Sequence, residues 1–142
     1  DNDGGHALWD VGRHPWNQQS RIDAEKITVE VKTLDAIAGD RTPRVIKIDT
    51  EGAEYHVLKG APELLARHPE FIICEANRFG LKQMGSSEAE LRELMAGHGY
   101  DCFYINDRAP WFVLLEPGKF VQADGIFNLL FSTKQAITEQ LG

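Results

Sequence analysis

Cysteine is nearly absent. The 142 residues hold Cys74 and Cys102 alone, both inside apolar runs and neither with a partner at metal-ligand spacing. That argues against a disulfide framework or a zinc cluster, and for buried, reduced thiols in a cytoplasmic protein. Positive charge is also short, with 15 lysines and arginines against 22 acids and a formal net charge of −7. No basic run exists to neutralise phosphates, so no nucleic-acid partner is expected. No apolar stretch exceeds strand length, so no membrane span or membrane partner is expected, and Asp1 opens no signal-peptide pattern. Repeats and low-complexity segments are missing. So is a strand followed by a glycine-rich turn. Gly4-Gly5 follows no strand, and Gly80, Gly85, Gly97 and Gly99 lack the needed spacing.

What is present centres on Val45-Ile46-Lys47-Ile48-Asp49-Thr50-Glu51-Gly52-Ala53-Glu54. Its first half is β-branched and apolar, as in a buried strand. Its second half gains acids and a glycine, and from Ala53 the apolar residues take helical spacing up to Lys59-Gly60. A strand that ends in carboxylates and turns into a helix is where open α/β sheets place their ligands. Lys47 inside such a strand is expected to pair with a neighbouring carboxylate, because an unpaired buried ammonium is costly.

The length suits one domain, with residues 1–21 as a loop, 22–132 as an α/β core and 133–142 as a polar tail, a frayed helix at most. Ile27, Val29 and Val31 alternate with polar residues and predict a strand with one buried face. Thr33 is positioned to cap a short helix ended by Gly39. Pro62 opens a further helix, and Phe71 to Cys74 reads as a strand covered on both faces. Ser87-Glu88-Ala89-Glu90 is a capping box before Leu91, Leu94 and Met95. Cys102 to Ile105 is the next strand. A long connection from Asn106 to Asp124 shows turn signals and no helix, and Ile126 to Phe131 is the last strand. Alternating strands and helices imply a mostly parallel sheet, with Val45–Asp49 beside Phe71–Glu75. Ile46, Ile48, Ile72 and Cys74 should then be buried.

The central stretch, followed by Val57-Leu58-Lys59-Gly60-Ala61, resembles the signature of the FkbM-type methyltransferases. The sequence departs from that pattern by Thr50, where the family usually has valine. Thr33-Leu34-Asp35 upstream and Phe71-Ile72-Ile73-Cys74-Glu75 downstream match further elements. The resemblance implies a Rossmann-like class I methyltransferase fold whose antiparallel last strand is inserted in the sheet. It also implies S-adenosylmethionine as co-substrate and a hydroxyl acceptor on a sugar, glycan or polyketide-like metabolite. The cofactor half of such a domain precedes the Asn-Gly-Gly segment with which this chain nearly begins. The chain therefore reads as the carboxyl-terminal portion, not expected to bind the cofactor usefully alone. An open sheet edge beside Val45–Asp49 would follow, and with it a possible homodimer. The alternative is a non-catalytic binding or assembly module that keeps half of the fold.

Methyl transfer to a hydroxyl needs the oxygen held in line and a destination for its proton. Asp49, Glu51 and Glu75, at the ends of adjacent strands, are the candidate catalytic residues, with Asp49 also facing the cofactor. The resemblance places the opening loop near the acceptor, which makes His6, His14 and Asn17 candidate substrate contacts, with Trp9 and Trp16 beside them. Asn77 and Arg78, after Glu75, are candidate contacts to a polar or anionic acceptor. A metal site from Asp49, Glu51, His6 and His14 lacks ligand spacing, so no metal is expected.

Overall fold

A computed structural model describes residues 7–10, 27–123 and 125–141. In chain order the elements are α1 (Leu34–Ala38), β1 (Val45–Ile48), α2 (Glu54–Lys59), α3 (Pro62–Ala66), β2 (Phe71–Asn77), α4 (Arg78–Gln83), α5 (Glu88–Gly97), β3 (Asp101–Ile105), β4 (Phe112–Leu114), β5 (Ile126–Ser132) and α6 (Lys134–Leu141). They build one five-stranded sheet in the order β1-β2-β5-β3-β4. Among the described residues no helix is long and apolar enough to cross a membrane.

β1 lies parallel to β2, with Val45 opposite Phe71 and Ile48 opposite Cys74. The two strands are joined through α2 and α3, the crossover that a parallel pair requires. β5 is antiparallel to both neighbours, β2 and β3, as the resemblance implied. The expectation of a mostly parallel sheet needs correction. β1, β2 and β3 point one way, but β5 separates the last two. β4, which falls in the connection read as irregular, turns back on β3 as a hairpin, with Ile105 opposite Phe112. One neighbouring pair is parallel, and the other pairings are antiparallel.

The local signals explain the helices. Thr33 accepts a hydrogen bond from the Ala36 amide at 3.2 Å and opens α1, and Ser87 does the same for Glu90 at the start of α5. α4, unforeseen in the sequence, begins where the Asn77 side chain accepts from the Gly80 amide at 3.1 Å. The strand expected at Ile27–Val31 does not form. Its apolar side chains are 71, 56 and 78% exposed, since an alternating segment with no partner ladder has nothing to pair with.

Alternation gives the sheet two distinct faces. Ile48, Ile72, Cys74, Phe127, Leu129 and Phe131 point into the main core, beneath Leu58, Leu64, Leu65, Leu91 and Met95 of the helices. Ile46 is only partly buried against that core, because β1 is an edge strand among the described residues. The opposite face carries Phe71, Phe103 and Leu130, covered by Ala136 and Ile137 of α6. The expected polar tail is thus a helix with a packing role. Lys47 shares this second face. It is exposed, not buried as expected, because the edge position leaves its side open.

Candidate functional site

The second face becomes polar towards the ends of β1 and β2. Lys47, Asp49 and Glu75 follow there from the same alternation that places Phe71 and Ile73 further back. The Lys47 ammonium donates to Asp49 Oδ2 at 3.2 Å, the carboxylate pairing expected of it. Asp49, Glu51 and Glu75 each bring one carboxylate oxygen within 4.8 Å of the others. Asp49 is exposed, and the other two are partly buried. Among the described residues this is the acid group drawn close enough to be considered for an ion. It offers carboxylate oxygen alone, and acids on surfaces commonly gather without a metal.

Three acids so close disfavour simultaneous ionisation. Glu75 bears the effect. Burial pushes its carboxyl above the ordinary glutamate range, and the charge of Asp49 pushes it further. Lys47 opposes this, Glu51 adds to it, and a hydrogen bond with Asp49 also favours the protonated form. A carboxyl raised towards neutrality is a better proton acceptor at working pH.

The turn that presents Glu51 is unusually constrained. Glu51 has φ +52°, a left-handed conformation that a residue with a side chain seldom adopts. Gly52, at φ +108°, lies against α4 so closely that a Cβ there would stand 2.2 Å from the Gly80 carbonyl carbon. The Trp9 indole donates to the Glu51 carbonyl at 2.5 Å and meets the Phe79 ring edge-on at 5.6 Å. The turn after β1 is thereby fixed to the junction of β2 and α4, which brings Glu51 to Glu75.

Other residues named from the sequence serve different contacts. Asn77 caps α4 and is 7% exposed. Arg78 pairs with Glu88 at 2.8 Å, donates to the carbonyls of Val121 and Ala123, and lies over the Phe127 ring. Both hold the scaffold behind Glu75. His6, His14, Trp16 and Asn17 lie outside the described residues. Cys74 and Cys102 are free and buried, and burial raises both thiols, Cys102 to about 12, which leaves them protonated and unreactive.

Two site residues escaped the sequence reading. Asn128 stands opposite Glu75 across the β2–β5 ladder, and its Oδ1 is buried without a hydrogen-bond partner. Only the register of β5 could have pointed to it. Glu54 is fully buried, and its Oε1 accepts from the Thr50 amide and hydroxyl, each at 3.0 Å, and from the Gly52 amide at 3.1 Å. In the sequence it was one more letter of the motif, though an acid at the first helical position is a known dipole partner.

No curated protein and no solved structure matches the chain. A family model, the methyltransferase FkbM domain, matches residues 1–102. The match covers well over half of the sequence and includes Asp49, Glu51 and Glu75 together with the turn that joins them, so the chain belongs to the FkbM methyltransferase domain family.

Proposed function

We propose that the chain carries the acceptor side of an S-adenosylmethionine-dependent O-methyltransferase. Its acceptor is a hydroxyl of a sugar, glycan or polyketide-like metabolite. The observation that supports this reading most is the convergence of Asp49, Glu51 and Glu75 within 4.8 Å at the open end of the parallel strand pair. The bound cofactor supplies an electrophilic methyl group. Asp49, at the exposed edge, is the residue placed to face it. Among the described residues no strand runs into a turn with more than one glycine before a helix, so the fit to the cofactor is one-sided and confined to the methyl-transfer end.

The chain's own part is to bind, orient and deprotonate the acceptor. Carboxylate oxygens accept hydrogen bonds, and so does the unpartnered Oδ1 of Asn128. A lining made largely of acceptors suits a ligand that presents several hydroxyl donors, because each buried acceptor left unpaired costs about 1–3 kcal/mol. The reacting hydroxyl sits between Asp49 and Glu75. Its proton passes to a carboxylate as the oxygen gains the methyl, and Glu75, whose carboxyl is raised by burial and by the charge of Asp49, is the proton acceptor in this reading. His6, His14 and Asn17 complete the acceptor side in this proposal.

The test is transfer of labelled methyl from S-adenosylmethionine to a panel of sugars and glycans, with this chain supplied as part of a protein that also carries the cofactor half of the family's domain. Asp49→Asn should lower transfer by about 10²- to 10⁴-fold with an unchanged circular dichroism spectrum. Transfer that survives Asp49→Asn refutes the role of Asp49, and a protein that binds the cofactor yet is inert to every acceptor favours the binding-module reading.

A further inference from the structure

Glu54 touches none of the three clustered acids, yet it is the most deeply buried acid described, with no exposed surface. A carboxylate taken out of water needs donors. Three converge on Oε1, and all come from the turn between β1 and α2: the amides of Thr50 and Gly52 and the Thr50 hydroxyl. Between those two residues stands Glu51, with φ +52°. A left-handed glutamate costs roughly 1 kcal/mol or more and persists only where its surroundings over-determine it. The bonds to Glu54 on either side of Glu51 supply that constraint from within. The Gly52–Gly80 contact supplies it from α4.

We infer that Glu54 is the positioning residue of the site: its bonds to Thr50 and Gly52 hold the turn in which the Glu51 carboxylate is turned back to Asp49 and Glu75. Thr50 is part of the device. A valine there would leave the carboxylate with amide donors alone, so the hydroxyl at the one position where this sequence leaves the motif strengthens the clamp. The inference rests on the acid cluster being the reacting site, but the geometry it asserts can be read without any methyl transfer.

The experiment is carbon-detected NMR titration of the glutamate carboxyls in the 142-residue chain, with Glu75 as reporter. The groups facing Glu75 are Asp49, Lys47 and Glu51, so a displaced Glu51 lowers the Glu75 midpoint. Glu54→Asp keeps the charge and loses the reach. Glu54→Gln keeps the reach and loses the charge. Thr50→Val removes one donor and no charge. The expected result is a Glu75 midpoint that falls towards the ordinary glutamate range in Glu54→Asp, falls less in Thr50→Val, and stays nearer the wild-type value in Glu54→Gln. Exchange of the Gly52 amide should speed up by about tenfold in Glu54→Asp. Unmoved Glu75 midpoints in folded Glu54→Asp and Thr50→Val, even with stability lost, would make Glu54 a purely structural residue and overturn the inference. A Glu54→Gln shift as large as that of Glu54→Asp would overturn it too, since charge and not position would then be acting. Should Glu54→Asp fail to fold, Thr50→Val decides alone. Absence of methyl transfer overturns the proposed function and leaves this result standing.

Discussion

Gly52→Ala is the sharpest probe of how the site is built. A Cβ at Gly52 would stand 2.2 Å from the Gly80 carbonyl carbon, 2.5 Å from its oxygen and 2.6 Å from its Cα. All of these atoms are backbone, so no flexible side chain can swing aside. Either the turn after β1 or the first turn of α4 has to move. Overpacking of this kind costs about 1–3 kcal/mol, with rigid neighbours at the upper end. The φ of +108° adds roughly 1 kcal/mol for a residue with a Cβ. The expected loss is about 3–4 kcal/mol, most of the lower end of the usual 5–15 kcal/mol of domain stability. In urea, with a slope near 2 kcal/mol/M, the unfolding midpoint should fall by about 1.5–2 M. Gly97→Ala is the control. Gly97 is the last residue of α5 and nothing lies within 4 Å of its added Cβ, so that variant should be neutral or up to about 1 kcal/mol more stable. A Gly52→Ala midpoint lowered by less than about 0.5 M would refute the argument that two glycines lock the turn onto α4.

Glu75 should make the chain less stable as pH rises. Its folded carboxyl titrates above the unfolded value, so the folded state binds more protons between those two midpoints, and the stability this confers at low pH is lost as pH rises through them. Glu75→Gln should flatten that slope and raise stability at pH 7, by under about 1 kcal/mol after solvent screening; urea titrations at pH 4 and pH 7 that show the same slope in both proteins would contradict it. Glu88 is 3% exposed between Arg78 at 2.8 Å and Arg92 at 3.6 Å. Glu88→Gln should cost about 1–2 kcal/mol, because the charge-assisted bond to Arg78 becomes a neutral one while Arg78 and Arg92 keep their carbonyl acceptors, and calorimetry should show a Tm lower by about 2–6 °C; an unchanged Tm counts against the network. Among the described residues β1 is an edge strand, and its Val45 is 54% exposed, so sedimentation should show concentration-dependent self-association that Val45→Lys weakens. A monomer at millimolar protein would end that expectation.

How much of this was legible beforehand depended on the range of the interactions. Caps were readable because Thr33 and Ser87 act within three residues of themselves. The adjacency of β1 and β2 was readable because two apolar runs joined by helical sequence leave few alternatives. The strand expected at Ile27–Val31 failed for a complementary reason. Alternation states which face could be buried, not whether a partner ladder stands beside it. The misplaced burial of Lys47 has the same origin, because edge and centre of a sheet are properties of the neighbours. α4 was hidden because β2 runs on past the apolar run Phe71–Cys74 to Asn77, so the residue that ends the strand is also the cap of the helix.

The site divides along the same line. Asp49, Glu51 and Glu75 were visible as acids at strand ends, since strand order alone brings those ends together. Asn128 was not, because it reaches Glu75 only through the antiparallel register of a strand some fifty positions further on in the β2–β5 ladder. Glu54 illustrates a different limit. Its residue type at the start of a helix invites a dipole explanation, yet its carboxylate turns back to Thr50 and Gly52 and leaves the helix capped by Ala53 without a side-chain bond. From the motif, Asp49 and Glu51 were legible as candidate catalysts and Lys47 as a paired cation, whereas the inward contacts of Glu54 were not. Asp49 and Glu51 face the opening, and Glu54 faces inward to shape the turn that presents them. Gly52, between Glu51 and Glu54, has no side chain because α4 occupies the space where one would be.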